Sequence, residues 1–367
     1  MTEKRSSPNE RLVQGWERGF SGRGGRALAA LAGGYRGLLG AREWLYARGI
    51  LRSHALSCPV VSVGNLTVGG TGKTPAVELA VRTLLDLGHR PAVVSRGYGR
   101  QTSGVQVVAD PASIRLDAED AGDEPFLLAR RLPGVAVVVG SNRHQAARLA
   151  LERFGATAIV LDDGFQHRTL GKDLEIVMAR ARNPWGNGAL LPRGPLREPL
   201  SALRRADLVV ATGARQVEDV GEVRATVSAW APEAPVLAAA YAPTECWTAG
   251  TMRPVDLARL AGARLVAFAG IGFPAGFEQT LEGLGVGIEA FMSFGDHHWY
   301  SREDLAGLEA RAATLGAGGL VTTEKDWVRL RRLPPPGRPL YIVGVRLELL
   351  DGHAAWRHAF EQRCPRK

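Results

Sequence analysis

The sequence is poor in lysine and cysteine, and it has no apolar run of the about 20 residues needed to cross a bilayer. Its cysteines, Cys58, Cys246 and Cys364, are scattered and lack the spacing of metal ligands. A disulfide-stapled fold and a cysteine metal site are therefore not expected, and the cysteines indicate a reducing compartment. A cleavable signal peptide is not expected either, because arginines interrupt the apolar part of the N-terminal region.

Arginine carries almost all of the positive charge. Lysine and arginine together number 46 and give a net charge of +9, but only five of them are lysines. These are Lys4, Lys73, Lys172, Lys325 and Lys367. Arginine cannot replace the compact ammonium group of lysine in a tight phosphate pocket, so a lysine inside a motif is informative in this chain. No signature of RNA or DNA binding accompanies the charge, and nucleic acid is not an expected partner.

A glycine-rich segment lies between a short apolar strand, residues 58–64, and a helical pattern that begins at Pro75. This order is typical of a P-loop, in which backbone N–H groups and a helix N-terminus bind phosphate. The strict Gly-x-x-x-x-Gly-Lys-Thr pattern fails at its first position, Thr67. We expect Lys73 to bind the β- and γ-phosphates and Thr74 to bind Mg²⁺. The predicted nucleotide-binding residues are Thr67, Val68, Gly69, Gly70, Thr71, Gly72, Lys73 and Thr74.

A second apolar strand, residues 158–161, ends in two acids, Asp162 and Asp163. A P-loop enzyme needs a carboxylate at the end of another core strand to hold Mg²⁺. One aspartate there could merely cap the following turn, whereas two adjacent aspartates indicate a Walker B element. The predicted metal ligands are therefore these two carboxylates and Thr74.

Residues 25–54 combine apolar and aromatic residues with five arginines. On a helical wheel most of the apolar side chains share one face and most of the arginines lie outside it, although Arg42 falls on the apolar face. That face contains Leu28, Leu31, Leu38, Leu39, Leu45, Tyr46 and Ile50. Two arrangements fit this pattern: a basic amphipathic helix in a membrane interface, and a helix packed on its own domain.

Several blocks of sequence, in chain order, resemble the tetraacyldisaccharide 4′-kinase family, the lipid A kinases. One is the P-loop segment 63–75, in which Thr67 matches the family pattern; Gly295 departs from it, since many members have a proline there. The other blocks are Ser95-Arg96-Gly97-Tyr98-Gly99, Gly122-Asp123-Glu124-Pro125, Leu161-Asp162-Asp163-Gly164-Phe165-Gln166-His167-Arg168, Leu191-Pro192-Arg193-Gly194-Pro195-Leu196-Arg197-Glu198-Pro199, Ala269-Gly270-Ile271-Gly272, Phe294-Gly295-Asp296-His297-His298 and Thr322-Thr323-Glu324-Lys325-Asp326.

The resemblance implies an ATP- and Mg²⁺-dependent kinase. The γ-phosphate of ATP would go to the 4′-hydroxyl of an acylated glucosamine disaccharide 1-phosphate, the tetraacyldisaccharide precursor of lipid A, giving lipid IVA. The resemblance also implies peripheral attachment to the cytoplasmic face of the inner membrane through residues 1–54. This favours the membrane interpretation of the N-terminal helix.

The segment Gly122-Asp123-Glu124-Pro125 opens a helix, where acids complement the helix dipole. The resemblance adds a catalytic interpretation, in which Asp123 accepts the proton of the acceptor hydroxyl. The expected partner of Asp123 is His297, with its neighbour His298 as the second candidate. A His-His pair could also bind a metal ion, but no further ligands stand at metal spacing nearby.

The remaining blocks supply expected substrate contacts. The pair Arg197 and Glu198 could instead form a surface ion pair, and residues 322–326 could contact either the substrate or another domain. The expected substrate-binding residues are Tyr98, Glu124, Arg143, Gln166, Arg197 and Glu198, and the expected catalytic residues are Asp123, His297 and Lys73.

Apolar runs alternate with helical patterns along residues 60–212, which predicts a parallel sheet covered on both faces. We therefore expect an α/β protein with a doubly wound P-loop NTPase core at residues 55–212. A connector at 213–234 would lead to a second, smaller α/β domain at 235–367, and an amphipathic membrane-associating helix would lie within residues 1–54. A site between two such domains would close before chemistry and exclude water.

Two other functions remain open at the level of the sequence. A regulatory ATPase of the MinD type also combines a Gly-Lys-Thr loop with a membrane helix, but it hydrolyses ATP and binds protein partners. A lipid-binding protein without catalysis would leave the P-loop and the Walker B acids unexplained. Transfer of labelled γ-phosphate to a lipid distinguishes the three functions.

Overall fold

The computed structural model describes Trp16 and residues 22–366. The α-helices described are α1 (Gly22–Ala47), α2 (Lys73–Asp86), α3 (Ala118–Ala121), α4 (Asp123–Arg131), α5 (Arg143–Phe154), α6 (Gly221–Trp230), α7 (Pro274–Gly283), α8 (Arg302–Thr314), α9 (Glu324–Leu330) and α10 (His353–Arg363). The strands are β1 (Val60–Asn65), β2 (Pro91–Ser95), β3 (Gln106–Ala109), β4 (Ala136–Val139), β5 (Ala158–Asp162), β6 (Leu174–Arg180), β7 (Leu208–Thr212), β8 (Val236–Thr248), β9 (Pro254–Val255), β10 (Arg264–Ala269), β11 (Gly287–Ser293), β12 (Gly319–Thr323) and β13 (Leu340–Leu349).

Strand β1, which leads into the P-loop, lies in the middle of the sheet and is parallel to its neighbours β5 and β6. Its side chains are buried on both faces, as expected for a parallel strand rich in valine. Val61 and Val63 belong to the apolar cluster that includes α2, whereas Val60 belongs to the cluster that includes α5. Helices therefore cover both faces, and the predicted α/β, doubly wound class is confirmed.

Strand β8 joins the two halves of the molecule. It runs parallel to β7 and antiparallel to β13, so the strands β1–β7 of the first half and β10–β13 of the second half form one continuous sheet. The order of the strands is β11-β10-β12-β13-β8-β7-β6-β1-β5-β2-β4-β3, and β9 pairs with β8. The second α/β unit is present as predicted, but it shares the sheet of the first.

The segment predicted as a connector, residues 213–234, contains a 3₁₀ turn at Val217–Val220 and helix α6. Val223 and Val227 of α6 are buried in the same apolar cluster as Val209 of β7. This segment therefore packs on the sheet. Because the segment is rich in charged residues, the short apolar face of α6 is not recognisable from the sequence alone.

Helix α1 packs on the first half through one side only. Tyr35 and Leu39 contact the apolar cluster of β6 and β7, whereas the side chains of Leu31 and Leu38 are 61% and 72% exposed. The apolar residues that the wheel places on one face are therefore split, since some pack on the protein and others are exposed to solvent. Ile50 lies beyond the end of the helix. No helix in the described part of the chain is long and apolar enough to cross a membrane.

Candidate active site

The P-loop is held by backbone geometry that favours glycine and by bonds from two strands. Gly72 caps the N-terminus of α2 with a positive φ of 77°, and a Cβ there would lie 2.5 Å from the Tyr241 hydroxyl oxygen. The side-chain amide of Asn65 donates to Thr71 Oγ1 at 2.9 Å, and Thr212 Oγ1 donates to the Thr71 carbonyl oxygen at 3.1 Å. These contacts keep the N-terminus of α2 open for an anion.

One large cavity, of about 1140 Å³, lies between the two halves of the molecule. Of the predicted nucleotide-binding residues, those from Val68 to Thr74 line it, whereas Thr67 is buried and pairs with Leu196 in an isolated bridge. The second half closes directly on the P-loop, because a Cβ on Gly272 would lie 2.2 Å from the backbone nitrogen of Gly70. The cavity is therefore a cleft between the two α/β units.

The two Walker B acids differ in their surroundings. Ser95 Oγ donates to Asp162 Oδ2 at 2.9 Å, but Asp162 Oδ1 is buried and has no hydrogen-bond partner among the described residues. Burial, followed by the negative charges of Glu124 and Asp163, raises the pKa of Asp162 to about 7. The charge of Lys73 offsets this rise only in part, and Asp162 Oδ1 stays an unsatisfied buried acceptor among the described residues.

Asp163 already has cationic partners. Arg197 Nη1 donates to both of its carboxylate oxygens, at 3.0 and 2.9 Å, and Lys73 Nζ lies 3.6 Å away. Burial alone would raise the pKa of Asp163, but the charges of Lys73 and Arg197 outweigh burial and lower it. Asp163 therefore joins the P-loop lysine to the arginine of the 191–199 block.

Asp123 and His297 come from different halves; His297 lines the cavity, and Asp123 is buried next to it. His297 Nδ1 lies 2.9 Å from Asp123 Oδ2. His298 bonds to Asp304 at 3.0 Å, so the structure brings His297 to Asp123 and leaves His298 on its own helix cap. Burial would raise the pKa of Asp123, but the hydrogen bond from His297 and the charges of Lys325, His297 and Arg329 lower it.

Two further residues, Arg329 and Asp326, belong to this site, and the sequence analysis assigned neither of them a specific role. Arg329 is fully buried and donates to Asp123 Oδ2 at 3.3 Å and to the Gly270 carbonyl oxygen at 2.8 Å. Its Nη2 also donates to Asp326, which accepts from Tyr300 as well. Arg329 is one of many arginines, so the sequence does not single it out. Asp326 belongs to the 322–326 block, for which a substrate contact and a contact with another domain both remained open.

Five of the six predicted substrate-binding residues line the cavity: Tyr98, Glu124, Arg143, Gln166 and Arg197. Glu198 does not; it is buried, and its carboxylate accepts a bond from Arg205 at 2.6 Å. Arg197 and Glu198 are adjacent in one block, and the sequence does not show which of their side chains lines the cavity.

Helix α1 contributes to the cavity wall. Tyr35 and Arg42 both line the cavity. The Tyr35 hydroxyl donates to the Arg197 carbonyl oxygen at 2.8 Å, and Arg42 donates to the Gln166 carbonyl oxygen. The placement of Arg42 on the apolar side of the wheel, which looked like an imperfection in the sequence, is explained by this contact.

A glycine-rich loop at a helix N-terminus, a carboxylate with one unpartnered oxygen at the end of a neighbouring strand and an Asp–His pair across the cleft are the parts of a P-loop phosphotransferase. Comparisons with known proteins agree. The family model described as tetraacyldisaccharide-1-P 4′-kinase matches residues 25–364. The chain belongs to this family, and it is a kinase and not a MinD-like regulatory ATPase.

Individual relatives cover nearly the same length. A tetraacyldisaccharide 4′-kinase of Syntrophus aciditrophicus is 45% identical over 317 residues, 84% of this chain and 85% of the relative. One from Anaeromyxobacter dehalogenans is 45% identical over 337 residues, 89% of each chain. A crystal structure of LpxK from Aquifex aeolicus in complex with ATP is similar with a TM-score of 0.71 and 30% identity, covering 92% of this chain and 99% of that chain.

Proposed function

We propose that this kinase transfers the γ-phosphate of ATP to the 4′-hydroxyl of the tetraacyldisaccharide 1-phosphate precursor of lipid A. The observation that carries the proposal is the pairing of the buried Asp123 with His297, which lines the same cavity as the P-loop. Such a pair can take the proton of an attacking hydroxyl group, and the family to which the chain belongs identifies this group as that of an alcohol and not of water. The names of the relatives supply the identity of the alcohol.

Residues from Val68 to Thr74 hold the phosphates of ATP in this proposal, with Lys73 on the β- and γ-phosphates. The ATP complex of the similar Aquifex aeolicus protein supports ATP as the nucleotide. Asp163 then orients Lys73 and Arg197 together, because it contacts both side chains. The ammonium group of Lys73 is thereby fixed where the transferred charge develops.

The donor set fits Mg²⁺. The unpartnered buried oxygen of Asp162 and the hydroxyl of Thr74 are hard oxygen ligands on the same cavity. Mg²⁺ would neutralise charge on the β- and γ-phosphate oxygens. Asp163, the third predicted ligand, would have to give up its bonds with Arg197 to bind the metal directly. We therefore assign the main metal contact to Asp162.

Asp123 serves as the general base. Its lowered pKa keeps it ionised, so His297 Nδ1 donates the hydrogen bond between them. As the hydroxyl oxygen attacks phosphorus, its proton passes to the Asp123 carboxylate. Arg143 and Arg197, which line the same cavity, provide cationic groups for the anionic disaccharide, and Tyr98 provides an exposed ring beside His297.

A transfer assay tests this function directly. Purified protein, Mg²⁺ and ATP labelled in the γ-phosphate are mixed with the tetraacyldisaccharide 1-phosphate in detergent micelles. We expect the label in a lipid that migrates as a bisphosphate, and little free phosphate. Release of inorganic phosphate without labelled lipid would contradict the proposal and favour an ATPase.

We also propose that the protein sits peripherally on the cytoplasmic face of the inner membrane through α1. Leu31 and Leu38 lie seven residues apart, two helical turns, and are both exposed, and the exposed Trp44 follows near the end of the helix. Tyr35 and Arg42, each four residues after one of these leucines and therefore next to it on the helix surface, line the cavity. A lipid substrate could therefore reach the site along this helix.

The membrane proposal predicts that Leu31→Asp/Leu38→Asp weakens vesicle binding. Each leucine buried in a lipid interface is worth about 1.5–3 kcal/mol, so binding should fall by at least about tenfold for each residue. Sedimentation with anionic phospholipid vesicles measures the loss. Deleting the helix is a poorer test, because it also removes Tyr35 and Arg42 from the cavity wall.

The matched control is Gly33→Asp/Gly37→Asp, which adds the same charge to the same helix. A Cβ at either glycine meets nothing within 4 Å. This variant should bind vesicles more tightly than the leucine variant. Equal binding by the wild type and the leucine variant would place the anchor elsewhere in the protein.

A further inference from the structure

Lys325, from the 322–326 block, lines the cavity, but the proposed reaction gives its side chain no role. The side chain nevertheless ends close to the groups that take part in the reaction. Lys325 Nζ lies 2.8 Å from Glu124 Oε1 and 3.9 Å from Asp296 Oδ1. Its side chain is 20% exposed and belongs to the first turn of α9, in the second half of the molecule. The ammonium group thus enters the cavity from the side opposite the P-loop.

Lys325 stands where the nucleotide and the acceptor must meet. Glu124, Lys325 and Lys73 all line the cavity, and the charges of both lysines lower the pKa of the Glu124 carboxyl against the effect of burial. The charge of Lys325 also lowers the pKa of the general base, Asp123. The γ-phosphate has to lie between the P-loop and the base, and this is the space that Lys325 borders.

Lysine itself is unusual at this position. The chain has 46 basic residues, only five of them lysines, and Lys73 and Lys325 are the lysines that line the cavity within the described residues. An ion pair that merely joined the halves would be served as well by arginine, as between Arg332 and Glu119, 2.9 Å apart. A compact ammonium group suits a crowded phosphate site.

We propose that Lys325 is a second phosphate-binding lysine, which leaves Glu124 and contacts the transferring phosphoryl group in the transition state. The proposal rests on the proposed function. In the transfer step the bond between the β–γ bridging oxygen and phosphorus breaks, and the bond between the 4′-oxygen and phosphorus forms. The electron pair of the broken bond stays on ADP, and the hydroxyl proton goes to Asp123. Lys325 keeps its proton and balances charge on the equatorial oxygens.

The charge of Lys325 is available for this role. Burial alone would lower the pKa of Lys325, but the carboxylates of Glu124, Asp123 and Asp296 raise it. The group therefore stays cationic at neutral pH. Because Glu124 is the nearest of these carboxylates, it would hold Lys325 ready until the phosphoryl group arrives.

The test compares Lys325→Met with Arg332→Met. Loss of a donor to a developing charge costs about 10²–10³ in kcat, and we expect that loss for Lys325→Met. Arg332→Met removes another ion pair between the same halves, outside the cavity, and should leave kcat within a few-fold of wild type. Thermal unfolding of both variants shows whether the fold is retained.

A second measurement does not depend on turnover. ADP with aluminium fluoride and Mg²⁺ imitates the transferring phosphoryl group. Lys325→Met should weaken binding of this complex by a factor similar to its loss in kcat, while binding of ADP alone changes little. A merely structural lysine would affect both ligands equally or neither.

The outcomes separate the two proposals. If Lys325→Met keeps wild-type kcat, or weakens ADP and ADP–aluminium fluoride binding equally, the role of Lys325 is refuted. If the wild-type protein does not label the lipid, the proposed function fails, whereas selective loss of ADP–aluminium fluoride binding in Lys325→Met would still support a phosphoryl contact.

Discussion

Lys73→Ala should abolish phosphate transfer, with a fall in kcat of at least about 10³-fold. Lys73 is the first residue of α2 and lines the cavity beside Asp163, 3.6 Å away. Lys325 comes from the opposite wall and contacts Glu124, so it cannot take the place of Lys73 at the β-phosphate. The transfer assay with labelled ATP, together with thermal unfolding, measures this loss in a folded protein.

Lys73→Arg should be nearly as inactive. The guanidinium group is larger and planar, and the loop has little room, since Gly72 and Gly70 are in close contact with Tyr241 and Gly272. Arginine could still pair with Asp163, so the fold should survive. Substantial transfer by the arginine variant would contradict the assignment of residues from Val68 to Thr74 as a phosphate-binding P-loop.

The P-loop and the Walker B acids could be predicted because their signal is local. A buried strand, a glycine-rich turn and a Gly-Lys-Thr sequence adjoin one another, and Asp162 is the last residue of its own apolar strand. Thr67 is among the predicted nucleotide-binding residues because the motif begins there in the sequence. The structure gives it a different place, because its backbone pairs with Leu196 and its side chain is buried.

Contacts across the cleft could be predicted only where both partners lie in conspicuous blocks. Asp123 and His297 are 174 residues apart, and the resemblance to a family supplied the link between them. Arg329 contacts the same carboxylate but is one arginine among many, so no pattern identified it. The continuous sheet likewise depends on contacts between distant segments. It forms because β8 pairs with β7 in parallel and with β13 in antiparallel, and no local pattern predicts this.

The N-terminal helix shows where helical periodicity runs out. A wheel can group Leu31, Leu38 and Leu39, but it cannot tell which of them faces the protein. The structure divides them, with Leu39 packed and the other two exposed. Arg42, which spoils the apolar face on the wheel, bonds to a backbone carbonyl next to the Walker B strand.

Asp123→Ala should lower kcat by about 10²–10⁴, the usual loss when a general base is removed. A sugar hydroxyl is a weak acid, so its attack is slow unless a carboxylate takes the proton as the bond to phosphorus forms. The KM for ATP should change little, because the proposed role of Asp123 is to take the proton of the acceptor and not to bind the nucleotide. Arg329 keeps its bonds to Asp326 and the Gly270 carbonyl oxygen, so the variant should still fold.

The histidines provide an internal control. His297→Ala should cost less than Asp123→Ala, since it removes the group that orients the base and leaves the base in place. The Asp123→Ala/His297→Ala double variant should lose less than the product of the single effects, because the pair acts as a unit. His298→Ala should have a small effect on kcat, since His298 bonds to Asp304 on the cap of α8.

A competing mechanism makes Asp123 a ligand of Mg²⁺, and metal titration decides between the two. Asp162→Asn, which removes the proposed metal carboxylate, should raise the Mg²⁺ concentration needed for activity and regain part of the loss with excess Mg²⁺ or Mn²⁺. Asp123→Ala should keep its low kcat at every metal concentration, because the lost function is proton transfer. In the wild type, Asp123 Oδ2 already bonds to His297 and Arg329, and Oδ1 accepts from the Glu124 backbone N–H. Recovery of Asp123→Ala by added metal would decide against the base, and it would mean that Asp162 and Asp163 do not suffice as metal carboxylates.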